Sequence, residues 1–168
     1  PPLRASADRD ALWAGVADGF VQTIASDHAG FSYKAKIIDW LLENGHQVED
    51  FGTDTTEPCN YPDYIRPAAL SVSQGNSERA IVLGGSGNGE AIVANRIPGV
   101  RCVLAWDRNS AELGRRHNDA NVLSIGERMV SLSTAIEIVG VWLNSPFDGG
   151  RHEIRVQQID NPPDDPEI

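Results

Sequence analysis

Between positions 84 and 90 the chain reads GGSGNGE, and two of these side chains can do chemistry: the Ser86 hydroxyl and the Glu90 carboxylate. Gly84, Gly85, Gly87 and Gly89 surround them, with Asn88 between the last two. Glycines let the main chain approach a ligand closely. The first N–H groups of a following helix favour negative charge. Those N–H groups and Ser86 would form a cradle for a developing oxyanion; the plain alternative is a tight strand-to-helix turn. Glu90 would be a general base beside the cradle, or a carboxylate that only stabilises the helix dipole. A base needs a pKa lifted by partial burial, and a helix N-terminus pushes the other way. Three known glycine motifs do not fit. The G-x-G-x-x-G spacing from Gly85 and Gly87 fails at Glu90, no lysine follows Gly89, and Asn88 stands where G-x-S-x-G needs its last glycine.

Other reactive types cluster elsewhere. Asp27-His28 directly follows an alternating apolar stretch, either as an acid–base pair or as a hydrogen-bonded structural pair. His117-Asn118 closes a helical segment behind Arg115-Arg116, where an imidazole also complements a helix C-terminus. Arg151 and Arg155 are four apart and share a helix face. With Arg128 they would bracket a phosphate, or form a solvated basic patch. His46 reads as surface structure. Cys59 and Cys102 are far apart with no CxxC, so no zinc or redox motif is present and both read as ordinary thiols.

The elements that must position these groups alternate. Strands are expected at 19–26, 46–52, 79–84, 100–106 and 121–125. Helices are expected from Phe31 to Asn44, from Pro62 or Asp63 to Ser73, over 87–96, from Asp107, as its cap, to Arg116, over 131–143, and after Gly149-Gly150 through Ile159. Short strands alternating with helices predict a parallel sheet covered on both faces. The fold class is a single three-layer α/β/α domain with a five-stranded parallel, Rossmann-like sheet. In such folds ligands lie outside the carboxyl ends of the strands, where Asp27-His28, Ser86 and Glu90 all fall. The domain spans 19–160. An extension precedes it at 1–18, read either as a short surface helix anchored by Leu12, Trp13 and Val16 or as a loose arm or partner contact, and an acidic, proline-rich tail follows at 161–168.

The 168 residues suffice for one substantial core, and 40% hydrophobic with 23% charged residues is ordinary for a globular protein. A net charge of −10 argues against nucleic acid as a partner. A few placed arginines would still hold a small anion. With no apolar run of membrane length and no signal-peptide pattern, a cytoplasmic location is expected.

The segments SDHAGF (26–31), YPDY (61–64), GGSGNGEAIVANRIPGVR (84–101), RRHNDANVLSIGER (115–128) and FDGGRHEIRV (147–156) run through nearly the whole domain. In them the chain resembles the type B ribose-5-phosphate isomerases and the related allose- and galactose-phosphate isomerases. The resemblance implies an aldose–ketose isomerase of a sugar phosphate, most simply ribose 5-phosphate, acting through ring opening and a cis-enediolate with no metal or organic cofactor. It places Asp27 and His117 at ring opening, and Ser86 with Gly85, Gly87, Asn88 and Gly89 around the enediolate oxygens. His28, Arg128, Arg151 and Arg155 would hold the phosphate, and Tyr61 and Asn118 would line the sugar. It also implies a homodimer with shared sites, a tetramer being the alternative, and no nucleic-acid or membrane partner. Many relatives carry a cysteine base at the position of Gly84. This chain resembles the branch that uses a glutamate further along the turn, which is Glu90, so neither Cys59 nor Cys102 is expected to be the base. Relatives act on sugars of four to six carbons, and a non-catalytic sugar-phosphate sensor is the competing class. The departures are the long extension and the RHEIRV helix, whose Glu153 and Ile154 replace basic residues common in relatives.

Overall fold

The unbroken apolar run Ala80–Leu83 is the centre of the sheet: it is buried on both faces, as a central parallel strand must be. The structure is a computed structural model and describes residues 21–27 and 31–161. Five strands form one wholly parallel sheet: β1 (Val21–Ser26), β2 (Gln47–Asp50), β3 (Arg79–Gly84), β4 (Cys102–Leu104) and β5 (Val122–Gly126), in the order β2-β1-β3-β5-β4. Six helices are described: α1 (Phe31–Glu43), α2 (Pro62–Ser73), α3 (Asn88–Ala94), α4 (Arg108–Asn118), α5 (Leu132–Asn144) and α6 (Arg151–Asp160). The expected α/β/α architecture is therefore present.

Alternation along the strands divides the interior into two cores. Ile24, Ile81, Leu83, Leu123 and Ile125 face α1, α4 and α5, where Trp142 is wholly buried. Ala25, Ala80, Val82 and Val122 face α2 and α3. Small alanines on this second side let Ala68 and Ala69 of α2 approach the sheet closely. The chain leaves β1 towards β2, then returns to place β3 on the other side of β1. The direction thus switches between β1 and β3, which opens a crevice at their carboxyl ends.

Two boundaries differ from expectation. The fourth strand is confined to Cys102–Leu104, because side chains capture the flanking N–H groups. Asn121 Oδ1 accepts from Arg101 N–H at 2.8 Å and Ser110 Oγ accepts from Trp106 N–H at 3.1 Å. On the outer border of this strand the Asn95 side chain receives the Cys102 N–H at 2.8 Å and donates to the Cys102 carbonyl at 2.9 Å. The third helix is Asn88–Ala94, shorter than 87–96: Gly87, at φ 80°, is its N-cap and Asn95 its C-cap. The other elements lie within a residue or two of their expected bounds. Asp107 caps α4 as expected, accepting from Ser110 N–H at 2.7 Å in a reciprocal box. The extension 1–18, His28 and tail positions 162–168 lie outside the described residues.

Candidate active site

Strand β3 ends at Gly84, and the chain turns through Gly85–Gly87 into α3, so Glu90 falls in the first helical turn. Glu90 is only 4% exposed. Its carboxylate lies over the Cα of Gly84: a β-carbon there would come within 2.7 Å of Oε2 and closer still to Oε1 and Cδ. Gly84 is thus the absence of a side chain where Glu90 needs room. Burial raises the Glu90 pKa above the ordinary glutamate value, and the nearby negative charge of Asp27 adds to it. Backbone N–H groups of Glu90 itself and of Gly87 donate to the carboxylate and offset part of the rise. Between burial and the helix terminus, burial wins.

The remaining turn is built by close backbone contact. The Ser124 hydroxyl, buried under the turn, donates to the Gly87 carbonyl at 2.7 Å. Glu127 N–H donates to the Gly84 carbonyl at 2.9 Å and Arg128 N–H to the Gly85 carbonyl at 3.1 Å, stitching the turn to the end of β5. A β-carbon on Gly87 would meet Leu104 Cδ1 at 2.5 Å, and its positive φ also suits glycine. Ser86 is exposed at the turn's crest, its Oγ accepting from Asn88 N–H and Asn88 Nδ2, each at 3.3 Å.

Three expected ligands gather round this turn. The Arg128 guanidinium lies over Gly85, 3.4 Å from where a β-carbon would stand. The Tyr61 phenol end lies on Gly89, 2.8 Å from the equivalent point. Asp27, 7% exposed, donates its N–H to the Leu83 carbonyl at 3.4 Å and so sits between β1 and β3. A carboxylate of raised pKa, a hydroxyl, a second acid and an arginine beside glycine N–H groups are equipped to move a proton next to an oxyanion on a small anionic ligand.

The other expected residues lie elsewhere. Helix α4 leaves the carboxyl end of β4 and runs back, so His117 and Asn118 end beside the start of β5. The five residues of β5 separate the two edges by about 16 Å. Arg151 and Arg155 lie exposed on α6, which is tied to this amino edge by Asp160 on Arg101 at 2.6 Å. Within one chain Arg128 lies at the carboxyl edge, and Arg151 and Arg155 lie on the helix tied to the amino edge. Parallel crossovers return every helix end to the edge opposite the strand end.

The amino-edge cluster contains a residue the sequence did not single out. The His152 ring stacks on His117 with centroids 4.2 Å apart and planes 6° from parallel. Its signal was the i, i+4 pair His152–Val156, the buried stripe of an otherwise polar helix. The two cysteines are half-buried. Burial and the Glu90 charge push the Cys102 thiol up, so it remains protonated. His46 is half-buried, with its Nδ1 enclosed. Among the described residues no group of three or more His, Cys, Asp or Glu is placed to hold a metal ion. Nor is any helix among them long and apolar enough to cross a membrane.

A parallel α/β/α domain with an acid–base cluster at the β1/β3 crevice defines the class. The family follows from comparison with known proteins. The sequence model of the ribose/galactose isomerase family matches residues 23–159. Ribose-5-phosphate isomerase B of Escherichia coli K12 is 43% identical over 133 residues, covering 79% of this chain and 89% of the relative. The structure of ribose-5-phosphate isomerase B from Clostridium thermocellum superposes with a TM-score of 0.82 at 43% identity, over 83% of this chain and 94% of that one. The Mycoplasma genitalium ribose-5-phosphate isomerase B, solved with bound ribulose 5-phosphate, gives 0.81 at 34% identity, over 84% and 94%. The chain belongs to the ribose/galactose isomerase family.

Proposed function

We propose that this chain interconverts ribose 5-phosphate and ribulose 5-phosphate, with Glu90 as the base that moves the proton between C2 and C1. The observation that carries the reading is the buried, raised-pKa carboxylate over Gly84 at the mouth of the glycine turn. A base acting near neutral pH must be ionised yet basic enough to take a carbon-bound proton, and a pKa lifted by burial serves both needs. The carboxylate removes the C2 proton of the open-chain aldose. The electron pair forms the C1–C2 double bond of the cis-enediolate, and the charge on oxygen is met by Ser86 and the N–H groups of Gly85, Gly87, Asn88 and Gly89. A proton passes from the C2 hydroxyl to the C1 oxygen, and the same carboxylate returns its proton to C1, leaving the C2 carbonyl of the ketose.

Asp27 and His117 open the furanose ring, Tyr61 and Asn118 line the sugar, and His28, Arg128, Arg151 and Arg155 hold the phosphate. Because Glu90 and His117 lie at opposite edges of the sheet, a complete site requires the carboxyl edge of one copy against the amino edge of another. That separation supports a homodimer with shared sites.

The test is NMR of the purified protein with aldose and ketose phosphates of four to six carbons in D2O, alongside Glu90→Gln. Ribose 5-phosphate should turn over. Glu90→Gln should lose about 10²- to 10⁴-fold in kcat with KM little changed. Turnover of a different sugar would reassign the substrate and keep the chemistry. Binding across the panel with no turnover would make the protein a sensor and refute the proposal.

A further inference from the structure

The stack at the amino edge has a feature that packing alone does not require. The inward stripe of α6 consists of His152 and Val156, and an aliphatic side chain at 152 would fill it without burying polar nitrogens. His152 is 8% exposed and shows two different surfaces to two different neighbours. Its face lies flat on His117. Its edge meets Arg151, whose Nε donates to His152 Nε2 at 3.4 Å. Acceptance at Nε2 requires a neutral imidazole with its proton on Nδ1.

We propose that His152 is a positioning residue for the isomerisation: its ring face orients the His117 imidazole for ring opening while its Nε2 holds Arg151 for the phosphate, so that one side chain fixes the spacing between the acid–base group and the anion grip. This rests on the proposed isomerase reading.

The surrounding charges are consistent with a neutral spacer. Burial lowers the His152 pKa, and the positive neighbours His117, Arg151 and Arg155 lower it further against the opposing pull of Asp148. Two rings in face contact do not both carry charge readily. Asp148 Oδ2 lies 4.0 Å from His117 Nε2, and Asp148 is itself held by Arg116 Nε at 3.0 Å. Arg116 also bonds Glu112 at 3.1 Å.

Two variants separate the two surfaces. His152→Phe keeps a flat ring against His117 and removes the acceptor for Arg151. It should leave kcat near wild type and raise KM for ribose 5-phosphate. His152→Ala removes both contacts and should lower kcat as well, by roughly 10- to 100-fold, the scale for losing a group that orients a reacting one. The enzyme-catalysed exchange of the C1 proton of ribulose 5-phosphate with D2O needs enolisation but no ring. In His152→Ala this exchange should fall less than ribose 5-phosphate turnover. A purely structural residue would lower Tm in both variants and leave kcat, KM and the ratio of turnover to exchange unchanged; that pattern overturns the proposal. Equal loss of turnover and exchange also overturns it. If His152→Ala does not fold, His152→Phe with unchanged KM overturns the link to Arg151. A wild-type protein without sugar-phosphate turnover instead refutes the isomerase reading, and this inference falls with it.

Discussion

Replacing Gly84 by alanine tests the geometry of the site through a residue that has no side chain. Gly84 has no positive φ, so its backbone tolerates alanine and only space is at stake. The added methyl would overlap the Glu90 carboxylate, with even the most distant carboxyl atom at 2.7 Å. Glu90 is enclosed and has nowhere inside to retreat. Either the carboxylate swings outward or α3 lifts from the sheet. Overpacking of this kind costs about 1–3 kcal/mol, and each kcal/mol moves the Tm of a domain this size by roughly 2–4 °C. A fall in Tm of roughly 2–12 °C is therefore expected in a thermal melt. The catalytic loss should be larger than that stability loss implies. Moving the base off the reacting carbons should remove about 10²- to 10⁴-fold of kcat in ribose 5-phosphate isomerisation at a temperature where both proteins are folded. The two substitutions act through one carboxylate, so Gly84→Ala added to Glu90→Gln should cost no further kcat. Wild-type kcat and Tm in the single variant, or additive losses in the double, would refute the placement of Glu90 over Gly84.

The raised Glu90 pKa has a consequence for stability. Its folded value lies above its unfolded one, so its contribution is full below the ordinary glutamate pKa and is lost as pH rises through the folded value. Glu90→Gln should therefore melt higher than wild type at pH 8, with the gap closing towards pH 4; a constant or reversed gap would contradict this sign. Ser131 caps α5 by accepting from Thr134 N–H at 3.2 Å and is not one of the proposed catalytic or binding groups. Ser131→Ala should cost about 1 kcal/mol, roughly 2–4 °C in Tm, at unchanged kcat.

Local signals carried most of the architecture. The AIVL run gave a buried central strand, and Asp107 gave a helix start. The span of β4 was not local. VRCVLAW has strand composition throughout, but Asn121 and Ser110, distant or folded back, decide where pairing stops. The same limit applies to the site. Ser86, Glu90 and Asp27 were visible because each sits at a strand end, which topology brings to one edge. Whether Glu90 was buried depended on Gly84 being empty, and the separation of Arg128 from Arg151 depended on which way each helix runs. The stack of His117 on His152 joins positions 35 apart in sequence, and no periodicity links them. Motif likeness named the first ring and passed over the second.

The borders of the sheet bear on how copies of this chain meet. An outermost strand normally offers a row of unpaired peptide groups to any passing strand. Here β2 has four residues and carries Glu49 and Asp50, and β4 has three, with the Asn95 amide occupying the peptide groups of Cys102. Neither border is a template for a further strand. In the proposed homodimer the contact between copies would therefore run through helices and loops, the surfaces that carry His117, Arg151 and Arg155, rather than through strand pairing. A two-fold contact of that kind closes at two copies, whereas strand pairing at an open border continues from copy to copy.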